Sequence, residues 1–223
     1  MSSLARYFSI LGKDVGGYDR SSSEITSSLN ELGIEVNYSD TIEAVPNKYG
    51  DLAYRDSVLV IYTPAIPQNS PQLNYFKENK FTINKRSEVL GEISRSYQTL
   101  AVAGSHGKTT ISAMIAEVFR SSEKGGSAFL GGISKNIDSN MHLCMDSNLA
   151  VMEADEFDKS FLFLHPDLAL VSSMDPDHLD IYGDPDQLGN SFKAFLNLLP
   201  NDGVAVLKEG LRKIVPEGRN FKI

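Results

Sequence analysis

The sequence predicts an α/β chain in two parts: a Rossmann-like parallel-sheet domain over residues 1–96, then an incomplete α/β domain built on a phosphate loop over residues 97–223. Three observations carry this. Short apolar runs that read as buried strands alternate with helical stripes along the whole chain, the pattern of a parallel sheet covered by crossover helices. A glycine turn, Gly104-Ser-His-Gly-Lys-Thr-Thr110, separates one such strand from one such helix. Two later strands end on carboxylates.

In order, residues 1–11 place Leu4, Tyr7, Phe8 and Leu11 on one helical stripe, and Gly12 stops it. Residues 13–18 read as a short strand running into Asp19, and Ser21-Ser-Ser-Glu24 as a capping box opening a helix to about Leu32. Strands are expected at 34–38, 57–62 and 81–83, with a rigid loop, Thr63-Pro-Ala-Ile-Pro67, after the second. Ser70-Pro71 opens a helix by the serine-cap, proline-first rule, and another covers 85–94. Doubly wound units usually open with a strand and a glycine-rich turn, whereas this chain opens in a helix. The first strand and its loop are therefore expected to be missing, with Met1 internal to a longer protein; otherwise the strand at 13–19 lacks a partner.

The second part starts with the apolar strand at 100–103. Gly104 and Gly107 allow a tight turn and a close backbone approach to a ligand. The helix at 111–120 is expected to turn Ile111, Met114, Ile115 and Val118 to the sheet. Its first N–H groups make an anion site; Lys108 adds a charge for phosphate oxygens, and Thr109 a hydroxyl for Mg²⁺. The general loop G-x-x-x-x-G-K-[ST] is not met, because Val102 stands where the first glycine belongs; the form here is the shorter G-x-x-G-K-T-T. The competing reading is a plain glycine turn, capped by Thr109 or Thr110, with Lys108 solvated.

Further on, residues 127–130 read as a small strand and Gly131-Gly-Ile-Ser-Lys135 as a second glycine turn. A strand at 148–152 ends on Glu153-Ala-Asp-Glu-Phe-Asp158, and one at 168–173 ends on Met174-Asp-Pro-Asp-His-Leu-Asp180. Crowded carboxylates at a strand end are costly unless a cation sits there. Lys108 and Thr109, the acids Glu153, Asp155 and Glu156, and the pair Asp177 and His178 are thus expected along one sheet edge, the set a Mg²⁺ nucleotide needs. For His106 ligand contact and loop bracing both stand open; His165 and His142 read as structural. Asp19, Asp40 and residues 63–66 follow strand ends in the first part, where ligand loops lie. Asp19 could accept from a ribose hydroxyl, and a local turn or cap role is the alternative for both aspartates. Residues 186–199 form an amphipathic helix, 204–207 a strand, 209–214 a short helix, and 221–223 look like the start of another strand.

The formal net charge of −8 argues against non-specific nucleic-acid binding, which needs basic surface. The single cysteine, Cys144, excludes an intrachain disulfide framework and fits a reducing compartment. No apolar run of about 18 residues exists, so no membrane span is expected.

The loop at 104–110, Glu153-Ala-Asp-Glu-Phe-Asp-Lys-Ser-Phe161 and Asp175-Pro-Asp-His-Leu-Asp-Ile-Tyr-Gly-Asp184 together resemble the Mur ligase family, with weaker landmarks at 63–67 and 86–90. The resemblance implies a cytoplasmic ATP-dependent ligase of peptidoglycan precursor synthesis with three domains, of which this chain would hold the UDP-sugar domain without its glycine turn and part of the ATPase domain. It implies ATP and Mg²⁺ as cofactors, UDP-N-acetylmuramate and L-alanine as substrates, and little activity for this stretch alone. ATP would sit on Gly104, Ser105, His106, Gly107, Lys108, Thr109 and Thr110. Thr109, Glu153 and His178 would hold metal; Lys108, Glu153 and His178 would serve catalysis; Asp19, Thr63, Ala65 and Ile66 would face the UDP-sugar. A family member that attaches a tripeptide, a nucleotide-binding module without ligase activity, and a nicotinamide oxidoreductase are the alternatives. The last requires a glycine fingerprint that is absent.

Overall fold

The computed structural model describes residues 1–175, 185–219 and 221–223. Contacts divide the chain into two units, Met1–Val89 and Leu90–Ile223, a boundary inside a helix and earlier than residue 96.

In the first unit, α1 (Ser2–Ile10), β1 (Gly16–Tyr18), α2 (Glu24–Glu31) and β2 (Glu35–Asn37) are followed by α3 (Asn47–Gly50), β3 (Leu59–Tyr62), α4 (Pro71–Glu78), β4 (Thr82–Lys85) and α5 (Arg86–Ser94), the last crossing into the second unit. Alternation is present, but one continuous sheet is not: β1 pairs in parallel with β2, and β3 separately with β4. The strand at β1 therefore does have a partner, contrary to expectation, with Gly16 opposite Glu35 and Tyr18 opposite Asn37. The capping box of α2 also shifts. Its cap is Ser23, whose hydroxyl accepts from Thr26 N–H, while Thr26 Oγ1 accepts from Ser23 N–H. A threonine fills the place usually held by Glu, because Glu24 falls in the first turn instead. Asp14 accepts from Lys48 Nζ and Tyr49 OH, lowering the Asp14 pKa and holding Lys48 up at about 12. The pair is exposed and adds little stability.

Ser70 caps α4 from a buried position: its Oγ accepts from Leu73 N–H and donates to Asp40 Oδ1 at 2.9 Å. Asp40 also accepts from Gln72 N–H. Ser70→Ala is expected to cost about 1–2 kcal/mol of local stability, since it removes a cap and leaves Asp40 with one bond fewer. Hydrogen exchange of the α4 amides is the measurement; exchange unchanged from the parent would refute this.

The second unit is a six-stranded sheet in the order β10-β9-β5-β8-β6-β7. It comprises β5 (Gln98–Ala103), α6 (Lys108–Ser121), β6 (Ser127–Ser134), β7 (Ser139–His142), β8 (Leu149–Glu153), β9 (Leu168–Val171), α7 (Pro185–Leu196) and β10 (Val204–Leu207). All neighbours pair in parallel except β7, an antiparallel edge strand. That strand holds His142. Residues 221–223 form no further strand, only a bridge from Lys222 to Val204. The strand β5 is flanked by β8 and β9, and Ala101, Val102 and Ala103 are fully buried. These small side chains let helices approach both faces of the sheet.

The expected stripe on α6 is half wrong. Met114 and Val118 point outward, 65% and 64% exposed. The buried face is Ser112 and Ala116, flanked by Ile111, Ile115 and Phe119, against Val102, Ala128, Leu130 and Val151. Small residues at the centre bring the helix close to β5, β6 and β8. The helix expected at 186–199 ends at Leu196 and is amphipathic as expected: Leu188, Phe192 and Phe195 on α7 are buried, as is Leu199 beyond its end.

Candidate nucleotide site

The β5 strand delivers the glycine loop at its carboxyl end, between β8 and β9. Such a divergence of neighbouring strands is where open parallel sheets bind ligands. Gly104 has φ +137°, and a Cβ there would collide with Ser172 Oγ. Gly107, at φ +82°, is the N-cap of α6 and contributes no side chain to its first amides. Neither Thr109 nor Thr110 caps the helix, and no side chain takes its first-turn N–H groups, an arrangement of the kind that binds anions.

Lys108 is not solvated. Its Nζ lies 2.9 Å from Glu156 Oε1 and 2.8 Å from Oε2, and donates to Gly104 O at 2.8 Å. The Glu156 side chain is 1% exposed and that of Lys108 14%. Thr109 Oγ1 donates to Glu153 Oε1 at 2.9 Å. Glu153 Oε2 accepts from Gly131 N–H at 2.8 Å. Gly131 lies within β6, which runs through to Ser134, and not in a second glycine turn as the sequence suggested. A Cβ on Gly131 would stand 2.5 Å from Glu153 Oε1, so this glycine makes room for the carboxylate.

The acids expected as one cluster are therefore dispersed. Glu153 meets Thr109 and Gly131; Glu156 turns inward to Lys108; Asp155 Oδ1 accepts from Phe157 N–H in its own turn. Among the described residues no group of three or more His, Cys, Asp or Glu side chains is placed to hold a metal ion. Asp177 and His178 lie outside the described residues.

The far side of the loop is held by β9. Ser105 is buried, and its hydroxyl donates to Asp175 O. His106 braces through its backbone: its N–H donates to Ser173 Oγ, and its carbonyl accepts from Ser172 Oγ. Its imidazole is 65% exposed, with Nε2 3.9 Å from Asp175 Oδ2. His165 is half-buried, and desolvation lowers its pKa.

In the first unit Asp19 is exposed and accepts from Ser21 N–H in a local turn, and Ile66 N–H donates to Thr63 O in another. Asp40 serves Ser70 and Gln72, its local alternative. A cavity of about 330 Å³ is lined by Ile42, Val45, Asn47, Gly50, Asp51 and Tyr75, none of them expected.

Ser172 and Ser173 are the site residues that sequence reasoning missed; Glu156 was expected at this sheet edge, though beside a cation site and not as the partner of Lys108, and Gly131 was expected in a turn and not against Glu153. Glu156 had a signal: an acid beside apolar positions at a strand end. The serines carried none without the strand order that places β9 next to β5.

A parallel sheet with an uncapped glycine loop, a buried lysine and a hydroxyl–carboxylate pair at one strand edge defines a phosphate-loop α/β protein. This chain belongs to the Mur ligase family: the Mur ligase middle domain matches residues 102–214, and the Mur ligase family catalytic domain residues 1–98. It is 44% identical over 95% of its length to a UDP-N-acetylmuramate–L-alanine ligase of Parabacteroides distasonis, covering 45% of that protein. It is 46% identical over 95% of its length to the protein of that name from Christiangramia forsetii, covering 46% of it. A solved UDP-N-acetylmuramate–alanine ligase from Thermotoga maritima superposes with a TM-score of 0.80 at 25% identity, over 94% of this chain and 46% of that one. The chain thus spans about half the length of the curated relatives it matches. Among the described residues no helix is long and apolar enough to cross a membrane.

Proposed function

We propose that this chain serves the ATP-dependent ligation of L-alanine to the carboxylate of UDP-N-acetylmuramate, in the cytoplasm, with residues 1–96 taking the UDP-sugar and 97–223 the ATP. The observation that carries it is the Lys108, Thr109 and Glu153 constellation, in a chain whose relatives at 44–46% identity bear that activity's name.

The sugar carboxylate attacks the γ-phosphorus, the bond to ADP breaks, and an acyl phosphate forms. The amine of L-alanine then attacks the acyl carbon, phosphate leaves, and the nitrogen loses a proton. Charge develops on phosphate oxygens, so positioning and electrostatic stabilisation are the main demands. Lys108 supplies positive charge to the β- and γ-phosphates, and the amides from Gly107 to Thr110 hold their oxygens. A hydroxyl and a carboxylate 2.9 Å apart form a hard-oxygen donor set that fits Mg²⁺. Thr109 and Glu153 would hold that ion, which neutralises phosphate charge when bound. His178 is assigned to a second Mg²⁺ beside the acyl phosphate. Asp19, Thr63, Ala65 and Ile66 are assigned to the UDP-sugar.

Phosphate release by a protein carrying this chain, with ATP and UDP-N-acetylmuramate present, is expected to depend on L-alanine. Dependence on a tripeptide instead would establish the tripeptide-attaching activity. Glu153→Gln is expected to move the Mg²⁺ requirement to higher concentration and to lower turnover by about 10²-fold; an unchanged Mg²⁺ dependence would remove Glu153 from the ligand set.

A further inference from the structure

Both polar groups of the His106 backbone are committed to the two residues that follow β9. His106 N–H donates to Ser173 Oγ at 2.8 Å, and Ser172 Oγ donates to His106 O at 2.5 Å. Two backbone bonds dock the same segments: Ser172 N–H to Ala103 O at 3.0 Å, and Ser105 N–H to Ser173 O at 3.3 Å. Gly104 is shaped to this contact, since any Cβ would strike Ser172 Oγ.

The consequence lies one peptide further on. The 106–107 peptide is trans and planar, so its N–H points opposite to its C=O. The Ser172 hydroxyl draws the His106 carbonyl towards β9, and the Gly107 N–H is thereby turned away from β9, to the side on which α6 begins. Among the described residues no acceptor takes that N–H. With the uncapped first turn of α6, it makes a row of donors facing one way. A loop with two glycines has no intrinsic reason to keep this orientation, because glycine leaves both signs of φ open. The hydroxyls beside it supply the constraint.

We propose that Ser172 and Ser173 are positioning residues for nucleoside triphosphate binding: they clamp the His106 backbone so that the Gly107 N–H is presented to the phosphates. The inference rests on the nucleotide reading given above. It adds residues that touch no phosphate themselves and that follow a different strand, β9, from the one that carries the loop.

The test is calorimetric titration of this chain with ATP and Mg²⁺, alongside its melting temperature without ligand. Ser172→Ala is expected to weaken ATP binding about tenfold, the equivalent of one neutral hydrogen bond, with the melting temperature unchanged. Ser172→Thr keeps the hydroxyl and is expected to restore binding; Ser173→Ala is expected to weaken it less, since the amide it frees can reach water. A lower melting temperature with unchanged affinity would make the serines merely structural and overturn the proposal. Failure of Ser172→Thr to recover affinity would overturn it too, because the hydroxyl is the group invoked. No binding by the unsubstituted chain would overturn the nucleotide reading of this chain, and this inference with it. Binding by the unsubstituted chain that Ser172→Ala leaves unaltered would overturn this inference alone.

Discussion

Lys108→Ala is expected to abolish L-alanine-dependent phosphate release, by about 10²–10³-fold or more in turnover. Removal of one preorganised electrostatic contact to a reacting centre commonly costs that much. The lysine has a second role that complicates the measurement. Its ammonium lies against both oxygens of Glu156, a carboxylate that is 1% exposed. Taking the cation away from a buried ion pair costs roughly 3–5 kcal/mol, because the remaining charge stays in a poorly solvating place. A simple loss of activity could therefore report loss of folding. The double variant Lys108→Met with Glu156→Gln separates the two, since it removes both charges and keeps the volumes close. It is expected to recover most of the stability lost in Lys108→Ala and none of the turnover. Recovery of both would mean that Lys108 is a structural cation whose place near the loop is incidental. Near-normal phosphate release in Lys108→Ala itself would sink the assigned role outright.

The same pair explains how much of the site was legible in the sequence. The strand, glycine loop and helix at 98–121 could be read directly, because each rests on a local rule: an apolar run, a turn that needs φ above zero, a helical period. Residues brought together from different strands could be read only as a shared sheet edge. That was enough for Glu153 and Thr109, which meet at 2.9 Å. It was not enough for Glu156, three positions beyond Glu153, where the chain leaves β8 for a 3₁₀ turn and turns the side chain inward. The misjudged face of α6 has a different cause. A period of 3.6 was present, but counting only large apolar residues favoured Met114 and Val118 over the small Ser112 and Ala116, which packing close to a sheet selects. In the first unit, alternation announced parallel strands correctly. It could not tell one sheet from two separate pairs, because pairing is a long-range fact that no local pattern encodes.

Phe161→Ala is expected to destabilise the second unit by about 3–5 kcal/mol, the usual cost of deleting a buried aromatic ring. Phe161 is fully buried, stacked on Phe195 at 5.0 Å between centroids and edge-on to Phe192 at 5.5 Å. It joins the 3₁₀ turn Phe157–Phe163 to α7, and its N–H donates to Asp155 O at 2.9 Å. The ring thus anchors the short stretch that follows β8 and carries Glu156. Cavity formation at Phe161 should therefore reach the site: freeing the turn loosens Glu156, and with it the placement of Lys108. Two neighbours in the same turn act as controls, because Phe157 and Phe163 are 46% and 40% exposed. Phe163→Ala is expected to change stability by about 0.5 kcal/mol or less. Phe161→Leu, which refills part of the space, should lose less than Phe161→Ala. Urea unfolding of the three variants checks the order, and ATP titration under folding conditions checks the coupling. Equal losses at 161 and 163 would show that the ring stack is not what holds this turn. A large stability loss at 161 with unaltered ATP affinity would show that Glu156 is positioned from β8 alone.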